Sequence, residues 1–140
     1  MPKLSALLVL ASLSSSAIAE KPEENIAAIR AKSLELAGSS AVQCGLVPVG
    51  ASSRAPWRCA QNADKSGKPF WLALEGRRTD SAVWRLLVRA LDGKRYFIFY
   101  TSNDHGLPEF EPHFDVTECK KPFEPVENTF FGINCGPDVP

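Results

Sequence analysis

The sequence has no excess of charge of either sign, since its 16 lysines and arginines are balanced by 16 aspartates and glutamates. A balanced chain exerts no long-range attraction on nucleic acid or anionic lipid, although a local basic patch is still compatible with it. The charge balance therefore favours a protein of unknown identity or a small ligand as the partner of the mature protein. Nucleic acid and membrane surfaces are disfavoured.

The sequence also lacks the common catalytic and metal-binding signatures. It contains no G-x-S-x-G, no H-E-x-x-H, no phosphate-binding P-loop and no dinucleotide-binding glycine pattern. Histidine occurs only as His105 and His113, eight positions apart in a stretch with prolines, which fits no common metal spacing. We expect solvated histidines, no metal and no cofactor.

Long hydrophobic runs are absent after residue 19. The first 19 residues contain Lys3, the apolar run LSALLVLASL and the small-residue ending Ala17-Ile18-Ala19. This pattern is typical of a secretory signal peptide cleaved before Glu20. A membrane anchor is the alternative, but the run is short and is followed by serines. We expect a secreted or periplasmic protein with one globular α+β domain over residues 20–140.

The cysteines are few and even in number: Cys44, Cys59, Cys119 and Cys135, all after the signal peptide. In an oxidising compartment four cysteines predict two disulfides, with three possible pairings. We favour Cys44 with Cys59 and Cys119 with Cys135, because the members of each pair are neighbours in sequence. A zinc site is disfavoured, since no C-x-x-C occurs.

Hydrophobic periodicity predicts two helices followed by strands. A helix is expected over residues 21–37 and a shorter one over about 53–66, while residues 41–52, with two glycines and a proline, are expected to form a loop. Strands are predicted at 69–76, 81–91, 94–102 and 113–120, with a further edge strand within 129–135. The expected fold is α+β, with both helices packed on an antiparallel meander sheet of four to five strands.

The dipeptide Asp92-Gly93 predicts a two-residue hairpin turn between the second and third strands. Such a turn pairs Leu86 with Phe99, and a five-residue turn at 77–81 places Leu72 opposite Leu86. The predicted core face then consists of Phe70, Leu72, Leu74, Trp84, Leu86, Val88, Phe97 and Phe99. The opposite face is mixed and is predicted to be open.

The predicted open face bears residue types that are enriched at binding hot spots. Its candidate binding residues are Trp71, Arg85, Arg89, Tyr96 and Tyr100. They favour a small exported binding protein, such as an inhibitory or immunity-type protein or a receptor for a small ligand. The alternative is that the C-terminal segment covers this face and that it has no partner.

A second interpretation comes from the order of Glu75, Arg85, Arg89 and His105, the last within YTSNDHG. This arrangement resembles the microbial guanyl-specific ribonucleases, small secreted proteins with N-terminal helices before an antiparallel sheet. The resemblance implies Glu75 as general base, Arg85 and Arg89 as a phosphate clamp, and His105 as general acid. A secreted ribonuclease-like hydrolase is therefore the alternative function.

Overall fold

The computed structural model describes residues 22–76, 81–102, 112–125 and 133–135. The predicted signal peptide, residues 77–80 of the predicted turn and His105 lie outside the described residues. Within them the chain forms two helices and seven strands in the following order: α1 Pro22–Ala37, β1 Val42–Val47, α2 Arg54–Lys65, β2 Phe70–Gly76, β3 Val83–Arg89, β4 Arg95–Thr101, β5 His113–Cys119, β6 Glu124–Pro125 and β7 Ile133–Asn134.

The main sheet has five strands in the spatial order β1-β2-β3-β4-β5. Strands β2 to β5 are antiparallel neighbours, as predicted, but β1 pairs with β2 in parallel. The sheet is therefore mixed, and the prediction of an all-antiparallel meander is wrong. A parallel pair needs a crossover connection, which here contains α2.

Strand β1 lies in the segment that the glycines and proline indicated as a loop. Its pairing with β2 shifts between Gln43 and Gly45, so the strand contains an irregularity. Gly45 has a φ of 110°, a conformation that glycine adopts without steric penalty. This break in the side-chain alternation conceals the strand from a search for two-residue periodicity.

The loop of the hairpin between β3 and β4 contains one residue more than predicted. Ala90 N donates to Lys94 O at 2.8 Å, which leaves Leu91, Asp92 and Gly93 as a three-residue loop. Gly93 adopts a φ of 86°, and the Asp92 carboxylate accepts a hydrogen bond from Lys94 N at 3.0 Å. Leu86 consequently pairs with Ile98, so the predicted pairing with Phe99 is wrong.

The β2–β3 register differs from the prediction by one residue as well, because Leu72 lies opposite Leu87. A slip of one position moves every side chain of a strand to the other face. The predicted core face is therefore wrong, since it combined residues from both faces. Both faces of the central strands are in fact buried, which is why Leu86, Leu87 and Val88 form a continuous apolar run.

Helix α1 packs on one face, in a cluster of buried side chains. This cluster comprises Ile29, Ala37, Ala41, Trp71, Ala73, Trp84, Leu86, Val88, Ile98 and Tyr100. Asn25 of α1 accepts a hydrogen bond from the Tyr100 hydroxyl at 2.6 Å, and both residues are buried. The bond satisfies two polar groups that would otherwise be costly to bury.

Helix α2 packs on the opposite face, through a second cluster. Its members are Cys44, Val47, Ala60, Ala63, Phe70, Leu72 and Leu87. The helix begins after Ser53, although the Ser53 side chain makes no capping hydrogen bond. Its C-terminal end is closed by Gly67, with a φ of 69°, and by Lys68 N donating to Ala63 O at 2.9 Å.

Both predicted disulfides are confirmed. Cys44–Cys59 joins β1 to α2, with a Cα–Cα distance of 5.5 Å. Cys119–Cys135 joins the end of β5 to the residue after β7, with a Cα–Cα distance of 4.8 Å.

Strands β6 and β7 form a separate two-stranded ribbon, so the predicted edge strand does not extend the main sheet. No helix within the described ranges is long and apolar enough to cross a membrane.

Candidate binding cleft

A concave site lies on the α2 face of the sheet, between that helix and the chain that leads from β5 into the ribbon. Its volume is about 420 Å³. We refer to it as the α2 cleft, and the following residues line it: Trp57, Ala60, Gln61, Asp64, Lys65, Phe70, Leu87, Arg95, Pro122 and Phe123. Cavities that hold small ligands in proteins have volumes of roughly 300–1,000 Å³.

Helix periodicity places the α2 residues of the cleft on one side. Trp57, Gln61 and Lys65 are spaced four residues apart, and Ala60 and Asp64 lie beside them on the same helix face. Trp57, Ala60 and Gln61 contribute to the wall beside the sheet, while Asp64 and Lys65 occupy the last turn of the helix. One helix therefore supplies an aromatic, an amide and two charged groups to the same site.

The sheet and the C-terminal segment supply the apolar floor and the facing wall. Phe70 and Leu87 are buried cross-strand neighbours of the same face. Phe123 meets Phe70 edge-on, with ring centroids 6.0 Å apart and an interplanar angle of 77°. The Cys119–Cys135 disulfide closes the chain segment that contains Phe123, and so restrains this wall.

A charged cluster forms one end of the cleft. The Asp64 carboxylate accepts hydrogen bonds from Arg89 Nη1 at 2.7 Å and from Arg95 Nε at 2.8 Å. The three side chains are largely buried, with exposed fractions of 12% for Asp64, 16% for Arg89 and 23% for Arg95. Two guanidinium groups thus share one carboxylate, and Lys65 adds a further positive charge to the lining, so this end of the cleft has an excess of positive charge.

Two buried nitrogen atoms near the cleft have no hydrogen-bond partner in the described part of the chain. They are the indole Nε1 of Trp57 and the Nε of Arg89. Buried donors are normally paired, and an unpaired one costs about 1–3 kcal/mol. Trp57 lines the cleft, and Arg89 contacts the lining residue Asp64, so both unpaired donors belong to residues in or beside the cleft.

The predicted open face is wrong, because α1 covers it. Trp71 and Tyr100 are each only 2% exposed and belong to the α1 cluster, and half-buried Tyr96 packs against the same cluster. Arg85 and Arg89 lie on the opposite face, since they pair with Leu74 and Phe70. The five residues predicted to bind a partner therefore do not form one surface. Of these, Arg89 alone joins the charged cluster at the α2 cleft.

The described residues of the ribonuclease resemblance do not all meet in one site either. Glu75 lies opposite Trp84, on the face that α1 covers, and its carboxylate accepts a hydrogen bond from Val49 N at 2.9 Å. Arg89 is opposite Phe70, five residues along β2, or roughly 17 Å away at the rise of an extended strand. The structure therefore does not bring Glu75 and Arg89 together, and His105 lies outside the described residues.

Glu75 and Arg85 do line one depression of about 320 Å³, next to the chain that follows β1. Burial lowers the pKa of the Arg85 guanidinium from its usual value. Glu75 is held by the backbone of Val49 and so has a structural partner. This depression lacks the aromatic walls of the α2 cleft.

The structure adds residues that the sequence interpretation did not assign to a site, namely Asp64, Lys65, Arg95 and Phe123. The helical spacing of Trp57 and Asp64 is readable in the sequence, but Asp64 and Arg95 are 31 positions apart and meet only in the folded chain. Within the described ranges, no group of three or more histidine, cysteine or acidic side chains is arranged to hold a metal ion.

Comparison of the chain with protein-family models, with curated proteins and with solved structures finds no match.

Proposed function

We propose that this chain is a small exported binding protein, and that the α2 cleft is where it holds a small ligand. The observation that carries the proposal is the convergence of three aromatic side chains with a half-buried charged cluster around one concavity. Small-molecule sites combine mostly apolar walls with a few well-placed polar groups, and the cleft has this composition.

Two further observations support export and binding. The disulfides Cys44–Cys59 and Cys119–Cys135 are typical of chains that mature in an oxidising compartment. The face that the sequence favoured for a protein partner is buried beneath α1, whereas the α2 cleft is concave. A concave site favours a small ligand over the flat surface of an inhibited protein. The separation of Glu75 from Arg89 gives no geometric support to the hydrolase alternative.

The proposal is tested with a probe that combines an aromatic body with a sulfonate group, and with a substitution that fills the cleft. We expect 8-anilinonaphthalene-1-sulfonate to bind the mature protein with one-to-one stoichiometry in isothermal titration calorimetry. Gln61 is half-buried and lines the cleft, so Gln61→Trp is expected to weaken binding by about tenfold or more through steric exclusion. Circular dichroism checks that the variant keeps the fold.

Gln43→Trp is the matched control, because Gln43 is exposed on β1 and does not line the cleft. This variant is expected to bind the probe as the unsubstituted protein does. Absence of probe binding to the native protein, or equal affinity in the Gln61→Trp protein, would remove the cleft as the ligand site.

A further inference from the structure

We infer that the α2 cleft selects a small carboxylate with an apolar body. Its carboxylate group would contact Arg95 and Lys65, and its apolar part would lie between Trp57, Phe70 and Phe123. This inference rests on the proposed function and adds the chemical class of the ligand. Three features of the cluster support it: its charge, the donor atoms that it leaves unused and its position on α2.

The charge balance favours an anionic ligand. Among the described residues that line the cleft, Asp64 is the one acidic residue, and it contacts both Arg89 and Arg95. One carboxylate compensates one of these guanidinium groups, and Lys65 adds another positive charge to the lining. A partly buried excess of positive charge is stabilised when a ligand of opposite charge enters, because the desolvated cations then gain a partner.

The hydrogen bonds leave a suitable donor pair free. Both Asp64 oxygens approach Arg95 through Nε, at 2.8 and 3.1 Å. Within the described ranges, the terminal Nη groups of Arg95 donate no hydrogen bond. Arg89 differs, because its Nη1 is used by both the carboxylate and the backbone carbonyl of Asp64. The planar fork of a guanidinium matches the two oxygens of a carboxylate, so Arg95 is the anchor of the site.

Asp64 acts as a positioning residue in this arrangement. By binding Nε it restrains the guanidinium of Arg95 without occupying the Nη groups that would face a ligand. Arg89 Nη1 also contacts Oδ1 of Asp64, at 2.7 Å, and so restrains the carboxylate further. The anchor is therefore fixed before a ligand arrives, which lowers the entropy lost on binding.

The position on α2 favours a monoanion over a phosphate group. Phosphate sites commonly use the N-terminal end of a helix, where free backbone N–H groups and the helix dipole favour multiple negative charge. Asp64 and Lys65 instead lie in the last turn of α2, where the dipole is negative. This end of the helix offsets part of the positive charge, so a single carboxylate is the better electrostatic match.

The test compares two probes that differ in charge but hardly in shape, 1-naphthoate and the neutral 1-naphthamide. Isothermal titration calorimetry at neutral pH on the disulfide-intact mature protein is expected to show about tenfold tighter binding of the carboxylate. Arg95→Gln should reduce this preference to within about twofold.

Lys94→Gln is the matched control. It removes the same charge from the neighbouring residue, but Lys94 is exposed, pairs with Glu118 at 3.5 Å and does not line the cleft. Its preference for the carboxylate should be retained. Arg95→Gln also removes a partner of Asp64, so a second variant that leaves this ion pair intact is needed. Lys65 is exposed, and Lys65→Gln should lower the preference for the carboxylate over the amide about threefold.

The outcomes separate the inference from the function on which it rests. Suppose that 1-naphthoate and 1-naphthamide bind equally well and that both displace 8-anilinonaphthalene-1-sulfonate from the cleft. This result would overturn the carboxylate inference and leave the binding function intact. A preference that survives both Arg95→Gln and Lys65→Gln would also overturn it. Failure of all three probes to bind would refute both proposals.

Discussion

Tyr100 provides the sharpest test of the register and of the two-sided sheet. The register that follows from the predicted two-residue turn at Asp92-Gly93 would place this side chain on an open face. In that register, replacing Tyr100 would have no effect on folding. In the structure it is 2% exposed, contacts the Phe114 ring with centroids 4.7 Å apart, and donates its hydroxyl to Asn25 Oδ1 at 2.6 Å. The two registers therefore predict opposite results for the same substitution.

The expected magnitudes follow from these contacts. Tyr100→Phe keeps the ring but leaves the buried Asn25 oxygen without this donor, so the free energy of unfolding should fall by about 1–3 kcal/mol. Tyr100→Ala also leaves a cavity beneath α1, and the loss should reach about 3–5 kcal/mol, as for other large aromatic truncations. The larger substitution should therefore be clearly worse than the smaller one.

Urea unfolding of the disulfide-intact protein, followed by circular dichroism, measures both losses. Tyr96→Phe is the control, because Tyr96 is on the same strand and the same face but is half-buried. Its loss should be below about 0.5 kcal/mol. If Tyr100→Phe and Tyr100→Ala both left stability unchanged, the register, the burial beneath α1 and the hydrogen bond that joins Asn25 of α1 to the sheet would all be refuted.

Two other predictions concern the charged cluster and the N-terminus. Asp64→Ala should lower the free energy of unfolding by about 2–4 kcal/mol, because it leaves two largely buried guanidinium groups without their anion. Glu35→Ala is the control and should lower the free energy of unfolding by less than about 0.5 kcal/mol, since that carboxylate is 62% exposed in its pair with Lys32. Similar losses of stability in the two variants would contradict the role of the cluster. Intact-mass measurement of the exported protein should show a chain that begins at Glu20, and retention of residues 1–19 would contradict the signal-peptide prediction.

Local signals in the sequence predicted much of the secondary structure. Both helices, the four strands that became β2 to β5, and both disulfide pairs follow from periodicity, turn residues and cysteine spacing. Strand β1 was missed, because its irregularity near Gly45 interrupts the alternation on which strand prediction depends. The run Leu86-Leu87-Val88 is buried on both faces, whereas one face was predicted to be open, because the run alone does not show that two helices flank the strand.

The register could not be obtained from the turn residues alone. Asp92-Gly93 suits both a two-residue turn and a three-residue loop that ends in a glycine of positive φ. The difference of one residue is decided by packing, since only the longer loop places Tyr100, Trp84 and Ile98 together beneath α1. The open face was predicted wrongly for this reason, and the five residues assigned to it do not share one surface.

By itself, the sequence determined the local features of this protein: the helices, the antiparallel hairpins and the two short disulfide loops, all of which depend on residues close together in the chain. Only the tertiary structure decided which face of each strand is covered, and that Asp64 meets Arg89 and Arg95 beside Trp57 and Phe123. The physical reason is that side-chain burial and ion pairing depend on contacts between distant segments. Their geometry is set by the packing of α1 and α2 on opposite faces of one sheet.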